Sequence, residues 1–268
     1  MKTLAIVMVR DGAYYLPSFL GHHARLMDTI IILDHGSVDV DFGQLKSDKI
    51  FVIKCQTSDQ FQSEIINLVL KNFSRAYDWI FPLDIDEFLP FCSRLDMEEM
   101  LSVYNGVVRF EWASHLPLGI QNDHVDLRSN FKYFFSRSSQ PKIAVGPKYS
   151  SSLGSKLFVG TGGHNLIKKS GSFPLIKRFS YVKAVDMLIP LFHVPFGDVA
   201  NLYQKCKRYF EMYDRRRNVA GQGGASLHFS REVAEVDPEI ACAFFRESVA
   251  SSLKSYSPAS AAVSDIFS

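Results

Sequence analysis

Three carboxylates crowd one short stretch of this chain. In DWIFPLDIDEFLP, residues 78–90, an apolar run ends in Asp84, Asp86 and Glu87. Residues i and i+2 of an extended segment point the same way, so Asp84 and Asp86 are expected to converge, with Ile85 turned inward. Carboxylates so close repel unless a cation, a proton or a basic side chain compensates. A hard divalent ion such as Mn²⁺ or Mg²⁺ suits oxygen ligands and needs only one or two from protein, with water and phosphate oxygens completing its shell. An Asp-x-Asp at a strand end therefore fits a metal–diphosphate site. The plainer alternative is an acidic turn capping the next helix. Acidic residues recur nearby: Arg10-Asp11 follows the run TLAIVMV, and DHGSVD, from Asp34 to Asp39, follows TIIIL.

The elements that must place these groups follow from hydrophobic periodicity. Residues 3–9, 29–33 and 49–54 read as buried strands, and DWIFPLD as a fourth. Leu16, Phe19, Leu20, His23 and Met27 mark a helix opened by Pro17, and Phe61, Ile65, Ile66, Val69, Leu70 and Phe73 mark a second, through about residue 75. Strand, helix, strand, strand, helix, strand predicts an α/β fold with a mostly parallel sheet flanked by helices. Ligands of such sheets bind beyond the carboxyl ends of the strands, so the acidic clusters share one rim. GVVRFEW at 106–112 reads as a further strand, residues 113–180 as loop-rich with short strands, and 187–194 as a strand ending near His193. A helix with a basic face follows at 198–217, then one or two more over 226–254 and a frayed Ser/Ala-rich tail.

Composition narrows the function classes. The chain has 268 residues, 47% hydrophobic, and a formal net charge of +2, so no global field points to nucleic acid. No run of about 18 apolar residues occurs, so no membrane span is expected. Cys55, Cys92, Cys206 and Cys242 form no CxxC pair, which disfavours a zinc site and a disulfide framework; free thiols in a reducing compartment are expected.

The order of these motifs resembles the family-2-like glycosyltransferases of the GT-A fold, a Rossmann-type sheet. The likeness is to the branch with a lysine-asparagine-glutamate segment after strand 1, then D-x-x-S-x-D, then a tryptophan-bearing strand ending in D-x-D-E-F. VRDGAYYLPSFLGHH, ILDHGSVD and DWIFPLDIDEFL stand in those places, and Gln62 and Asn67 where the branch often has glutamine and asparagine. FEW and LFHVPFGDVANLYQKCKRY resemble its later strands and closing helix. The likeness covers roughly residues 1–215. It implies a glycosyltransferase domain over 1–220, with a nucleotide-sugar half at 1–112 and an acceptor half at 113–220, and a helical extension at 221–268.

The resemblance implies roles residue by residue. Asp11 and Asp34 would line the base and ribose pocket with Asp39 beside it, and Arg10 and Gln62 join the donor-binding set. Asp84 and Asp86 would bind metal and diphosphate, and His193 would add a metal or phosphate contact. Arg10-Asp11-Gly12 departs from the branch pattern. The implied reaction moves a sugar from a nucleotide-sugar donor to a glycan or lipid-linked acceptor. It would be inverting, with Mn²⁺ or Mg²⁺, in surface polysaccharide or lipopolysaccharide synthesis. The setting would be cytoplasmic, with peripheral contact at the inner face of a membrane. Glu111 is the first candidate base; Asp123, Asp126 and His164 are others. The basic helix is a candidate for diphosphate or anionic lipid, although such runs are mostly solvated faces. Trp112, Tyr133, Phe134 and Phe135 are candidates for stacking on acceptor sugar or for core packing. His22 and His23 read as packed or paired with a carboxylate. Two rivals stand: a module that binds nucleotide sugar or glycan without transfer, and a D-x-D phosphatase, disfavoured because Phe88 stands where that motif has threonine or valine.

Overall fold

The computed structural model describes residues 1–45, 47–55, 62–115, 134–170 and 178–194. Chain contacts divide the protein into two units, one of residues 1–113, 137–193 and 265–267, the other of residues 114–136, 194–264 and 268. Nearly all described residues belong to the first.

Four parallel strands build its centre: β1 (Thr3–Val9), β2 (Thr29–Asp34), β3 (Ile50–Lys54) and β4 (Trp79–Asp84). Their spatial order is β3-β2-β1-β4. β1 is paired on both edges and buried on both faces, which is why it reads as an unbroken apolar run. α1 (Leu16–Leu26) carries the chain from β1 to β2, and α2 (Gln62–Phe73) precedes β4. α1 has a proline in its first turn and buries Leu16, Phe19, His22, His23 and Leu26. α2 buries Ile66, Asn67, Val69 and Leu70. Each fully buried Leu or Ile contributes roughly 2 kcal/mol. Because β2 lies on one side of β1 and β4 on the other, the strand order reverses at the carboxyl end of β1, where open sheets of this kind leave a ligand crevice.

Beyond β4 the sheet changes character. It continues through β7 (Phe134–Val145), β6 (Val107–His115), β12 (Leu191–His193) and β5 (Glu87–Phe88), with β11 (Ala184–Asp186) beside β6. β7 runs antiparallel to β4, with Ile80 opposite Val145, and β5 pairs with β12 so that Glu87 faces His193 in register. β8 (Leu157–Val159), β9 (Leu166–Ser170) and β10 (Arg178–Tyr181) form a separate antiparallel sheet. α3 (Arg94–Ser102) follows β5, capped by the Ser93 hydroxyl, and α4 (Pro147–Ser150) follows β7.

The fold is thus mixed α/β with a parallel centre and flanking helices, as the periodicity predicts. Two expectations need correction. Residues 113–180 contain a twelve-residue strand, β7, whose polar sequence FFSRSSQPKIAV hides its extended state. In 187–194 only Leu191–His193 is strand. The helices expected at 198–217 and 226–254 lie outside the described residues. No helix among the described residues is long and apolar enough to cross a membrane.

Candidate active site at the acidic rim

β4 ends at Asp84, and the chain turns through Ile85 and Asp86 before Glu87 starts β5. This corrects the expected geometry. Asp84 and Asp86 do not alternate along one strand, and it is Asp86, 5% exposed, that turns inward, while Ile85 is only half-buried.

Glu87 is fully buried, and its Oε2 accepts the backbone N–H of Asp84 at 2.8 Å, which closes the turn. A residue not singled out above completes the cluster. Lys142 of β7, 1% exposed, places its Nζ 2.6 Å from Asp84 Oδ2 and 3.0 Å from Glu87 Oε2. The antiparallel pairing of β4 with β7 brings it to the level of Asp84. Gln62, at the start of α2, donates from Nε2 to Asp84 Oδ1 at 2.8 Å, so both oxygens of Asp84 carry a donor. Burial pushes the Glu87 carboxyl well above the usual carboxylate range; Lys142 opposes this, while Asp84 and Asp86 add to it. Burial works against the Lys142 charge, but Asp84 and Glu87 together hold it above the ordinary lysine value. Glu87 Oε1 has no hydrogen-bond partner. Lys142 could have been noticed in the sequence as a lysine flanked by proline and the apolar run IAV, yet nothing there says that it is buried.

The glycine-rich loop at 160–165 explains how that lysine is enclosed. Gly162 and Gly163 have φ of +68° and +69°, and a Cβ on Gly163 would stand 3.0 Å from the Pro82 carbonyl oxygen and 3.1 Å from Lys142 Cε. Only glycine lets the loop lie against the lysine stem. The same loop sets His164 against Trp112, edge to face at 5.3 Å, with Nδ1 2.8 Å from the Pro141 carbonyl. Burial lowers the His164 pKa.

Asp86 meets His193 at 3.7 Å between Oδ2 and Nε2, and the His193 ring stacks on Trp112 at 4.3 Å. One face of Trp112 is therefore covered, and its Nε1 is buried without a hydrogen-bond partner. Among the described residues, no three His, Cys, Asp or Glu side chains form a ready metal cage. Asp86 and His193 nonetheless fit a shared hard ion: a carboxylate oxygen and an imidazole nitrogen stand 3.7 Å apart, both donors that Mn²⁺ or Mg²⁺ would take. Asp84 fits less well, because Lys142 and Gln62 already hold its oxygens.

Across β1 stands the second cluster. Register places Val9 beside Asp34 and Met8 beside Asp84, so the two aspartates flank the end of β1 about 10 Å apart. Asp34 is 6% exposed and caps the following turn, accepting Ser37 N–H at 2.8 Å. Asp11 adopts φ of 52°, a region that aspartate tolerates better than most residues, and accepts Val38 N–H at 2.9 Å while its own N–H donates to Ser37 Oγ. Asp39 accepts Ala13 N–H at 3.0 Å. These carboxylates stitch the two loops of the crevice together. Arg10 is exposed beside them.

Not every candidate joins the rim. Glu111 alternates with Trp112 along β6, so it lies on the opposite strand face, the one it shares with Arg109. Asn67 is a structural tie: it exchanges two 2.8 Å hydrogen bonds with the backbone of Val159 and so pins β8 to α2. His22 and His23 are buried against Phe88 and bond to backbone. Cys55 is a half-buried free thiol, and Cys92 is exposed. Asp123, Asp126, Tyr133, Cys206, Cys242 and the basic helix lie outside the described residues, and Phe134 and Phe135 are described only as β7 backbone.

No family model matches the chain, and no curated protein matches it. Solved structures do. A protein from Desulfovibrio desulfuricans G20 assigned to the nucleotide-diphospho-sugar transferases aligns over 91% of this chain and 99% of its own, at 12% identity and a TM-score of 0.39. The 4-diphosphocytidyl-2C-methyl-D-erythritol synthase of Anaerococcus prevotii aligns over 56% and 72%, at 15% identity and a TM-score of 0.33. The galactosyltransferase LgtC, solved with donor and acceptor sugar analogues, aligns over 55% and 59%, at 14% identity and a TM-score of 0.25. At such identities and scores these are likenesses, and the chemistry of the rim rests on its own geometry.

Proposed function

We propose that this chain is a GT-A-like glycosyltransferase that moves a sugar from a nucleotide-diphospho-sugar donor to a glycan or lipid-linked acceptor. One observation carries the reading: Asp34 and Asp84 flank the end of β1 at the point where strand order reverses, and a buried acidic turn continues from Asp84. That span suits a nucleoside at the Asp11–Asp34–Asp39 loops and a diphosphate at the DIDE turn.

Breaking the anomeric bond leaves negative charge on the departing diphosphate and oxocarbenium character on the sugar ring. Asp86 and His193 would hold Mn²⁺ or Mg²⁺, a Lewis acid that stabilises such a leaving group. Gln62 and Lys142 fix the Asp84 carboxylate, so the rim needs little reorganisation when the donor arrives. The Asp11, Asp34 and Asp39 ties set the shape of the nucleoside end. Inversion, with a carboxylate taking the acceptor proton, and a role in surface polysaccharide or lipopolysaccharide synthesis follow from the family resemblance, as does a cytoplasmic site of action at a membrane face. The test is a thermal-shift panel of nucleotide sugars with and without Mn²⁺, followed by nucleoside diphosphate release with the best donor. A Tm rise for one nucleotide class that grows with Mn²⁺, together with release, supports the reading; no rise across the panel overturns it.

A second reading, binding without transfer, is favoured by one observation: Glu111, the first candidate base, projects from the strand face opposite Trp112. Donor binding without turnover across acceptors would select it.

A further inference from the structure

Lys142 does more than fix the Asp84 carboxylate. Its ammonium is enclosed rather than mobile: the side chain is 1% exposed, and Gly163 leaves no slack over its stem. It touches Asp84 at 2.6 Å and Glu87 at 3.0 Å, the first and last carboxylates of the DIDE turn. Gln62 takes the remaining oxygen of Asp84. In the free protein the carboxylate best exposed at this turn, 32% accessible, is thus already neutralised by a fixed protein charge. A dication approaching Asp84 would meet that ammonium at close range, where like charges repel strongly in a partly buried setting.

We propose that Lys142 is a built-in counter-cation that keeps the acidic turn assembled without metal and withholds Asp84 from a divalent ion, so that the ion enters only together with a diphosphate, on the Asp86–His193 side. This rests on the transferase reading and assigns it an order of binding. A diphosphate brings the negative charge that the neutralised turn lacks and adds oxygen ligands to the two that Asp86 and His193 supply. Lys142 is a positioning residue: it acts through Asp84 and does not touch the substrate.

The experiment measures Mn²⁺ retained by the full chain in equilibrium dialysis, as the excess on the protein side, with Mn²⁺ alone and with Mn²⁺ plus inorganic pyrophosphate on both sides. Wild type is expected to show no excess with Mn²⁺ alone and to take it up when pyrophosphate is present. Lys142→Gln is expected to take up Mn²⁺ alone, at least tenfold more tightly than wild type, and to gain thermal stability from it. Should that variant not fold, Lys142→Gln/Glu87→Gln removes the ammonium together with the buried carboxyl it touches, keeps Asp84 and Asp86, and carries the same expectation. Tight uptake of Mn²⁺ alone by wild type, or no gain on removing Lys142, overturns the proposal. Lack of any uptake with pyrophosphate by wild type and variants alike overturns the diphosphate half and counts against the transferase reading, while the Lys142 comparison with Mn²⁺ alone still reads separately.

Discussion

At the scale of single residues, the acidic turn divides its work. Asp84 faces the rim, Asp86 faces His193, and Glu87 braces the turn from within. Asp86→Ala is expected to lower Mn²⁺-dependent transfer by at least about a hundredfold, the scale of losing one preorganised electrostatic contact, with an unchanged far-ultraviolet circular dichroism spectrum. Full activity in that variant would sink the metal assignment. Glu87 behaves differently because burial favours its neutral form. Glu87→Gln keeps an acceptor for the Asp84 N–H and should change unfolding free energy by no more than about 1 kcal/mol. Glu87→Ala leaves that N–H unpaired beside a cavity and should cost about 2–4 kcal/mol in urea titrations. These roles were only partly legible in the sequence. The carboxylates announce themselves by type, but their division depends on a turn at Ile85–Asp86 that alternation along a strand does not anticipate, and on Lys142, 55 positions beyond Glu87.

At the scale of elements, α1 ties the site's foundation to pH. His22 donates from Nε2 to Leu89 O, and His23 donates from Nδ1 to Phe19 O while its Nε2 accepts the Leu89 N–H, so α1 grips the segment just past β5 through two neutral rings. Burial lowers the His22 pKa to about 4 and takes His23 well below its ordinary value. Both folded values lie below the unfolded one, so the unfolded chain binds more protons in acid. The contribution of these two rings is complete above about pH 6.5 and falls as pH drops toward 4, by roughly 3 kcal/mol from His22 alone. Thermal melts across that window should show the decline, and a His22→Gln variant should show a shallower one; a flat profile in wild type would refute it. The helix and strand positions were readable because their periods are local. The embrace of Leu89 by two histidines was not, since it joins residues 66 positions apart.

At the scale of the whole described unit, stability is graded away from β1. That strand is paired on both edges with β2 and β4 and has Leu4, Ala5, Ile6 and Val7 fully buried. Its amides should exchange with solvent only on global unfolding, whereas those of β10 and β11, with Tyr181 74% and Val185 51% exposed, should exchange far sooner. Exchange mass spectrometry at neutral pH reads the order directly, and equal rates in β1 and β11 would contradict it. The gradient suits the proposed function, since the crevice proposed for the donor opens at the end of the most deeply buried strand.

The parallel centre, the helices between its strands and the gathering of Asp11, Asp34 and Asp84 at one rim were determined by the sequence alone, because apolar periodicity and strand-end placement are short-range properties of the chain. Tertiary structure decided what those groups do there. β7 was concealed by its polar residues, and only its pairing with β4 delivers Lys142 to Asp84. Only the pairing of β5 with β12 delivers His193 to Asp86. Burial then sets the charge of Glu87, and burial is a property of the packed molecule that no single stretch of sequence contains.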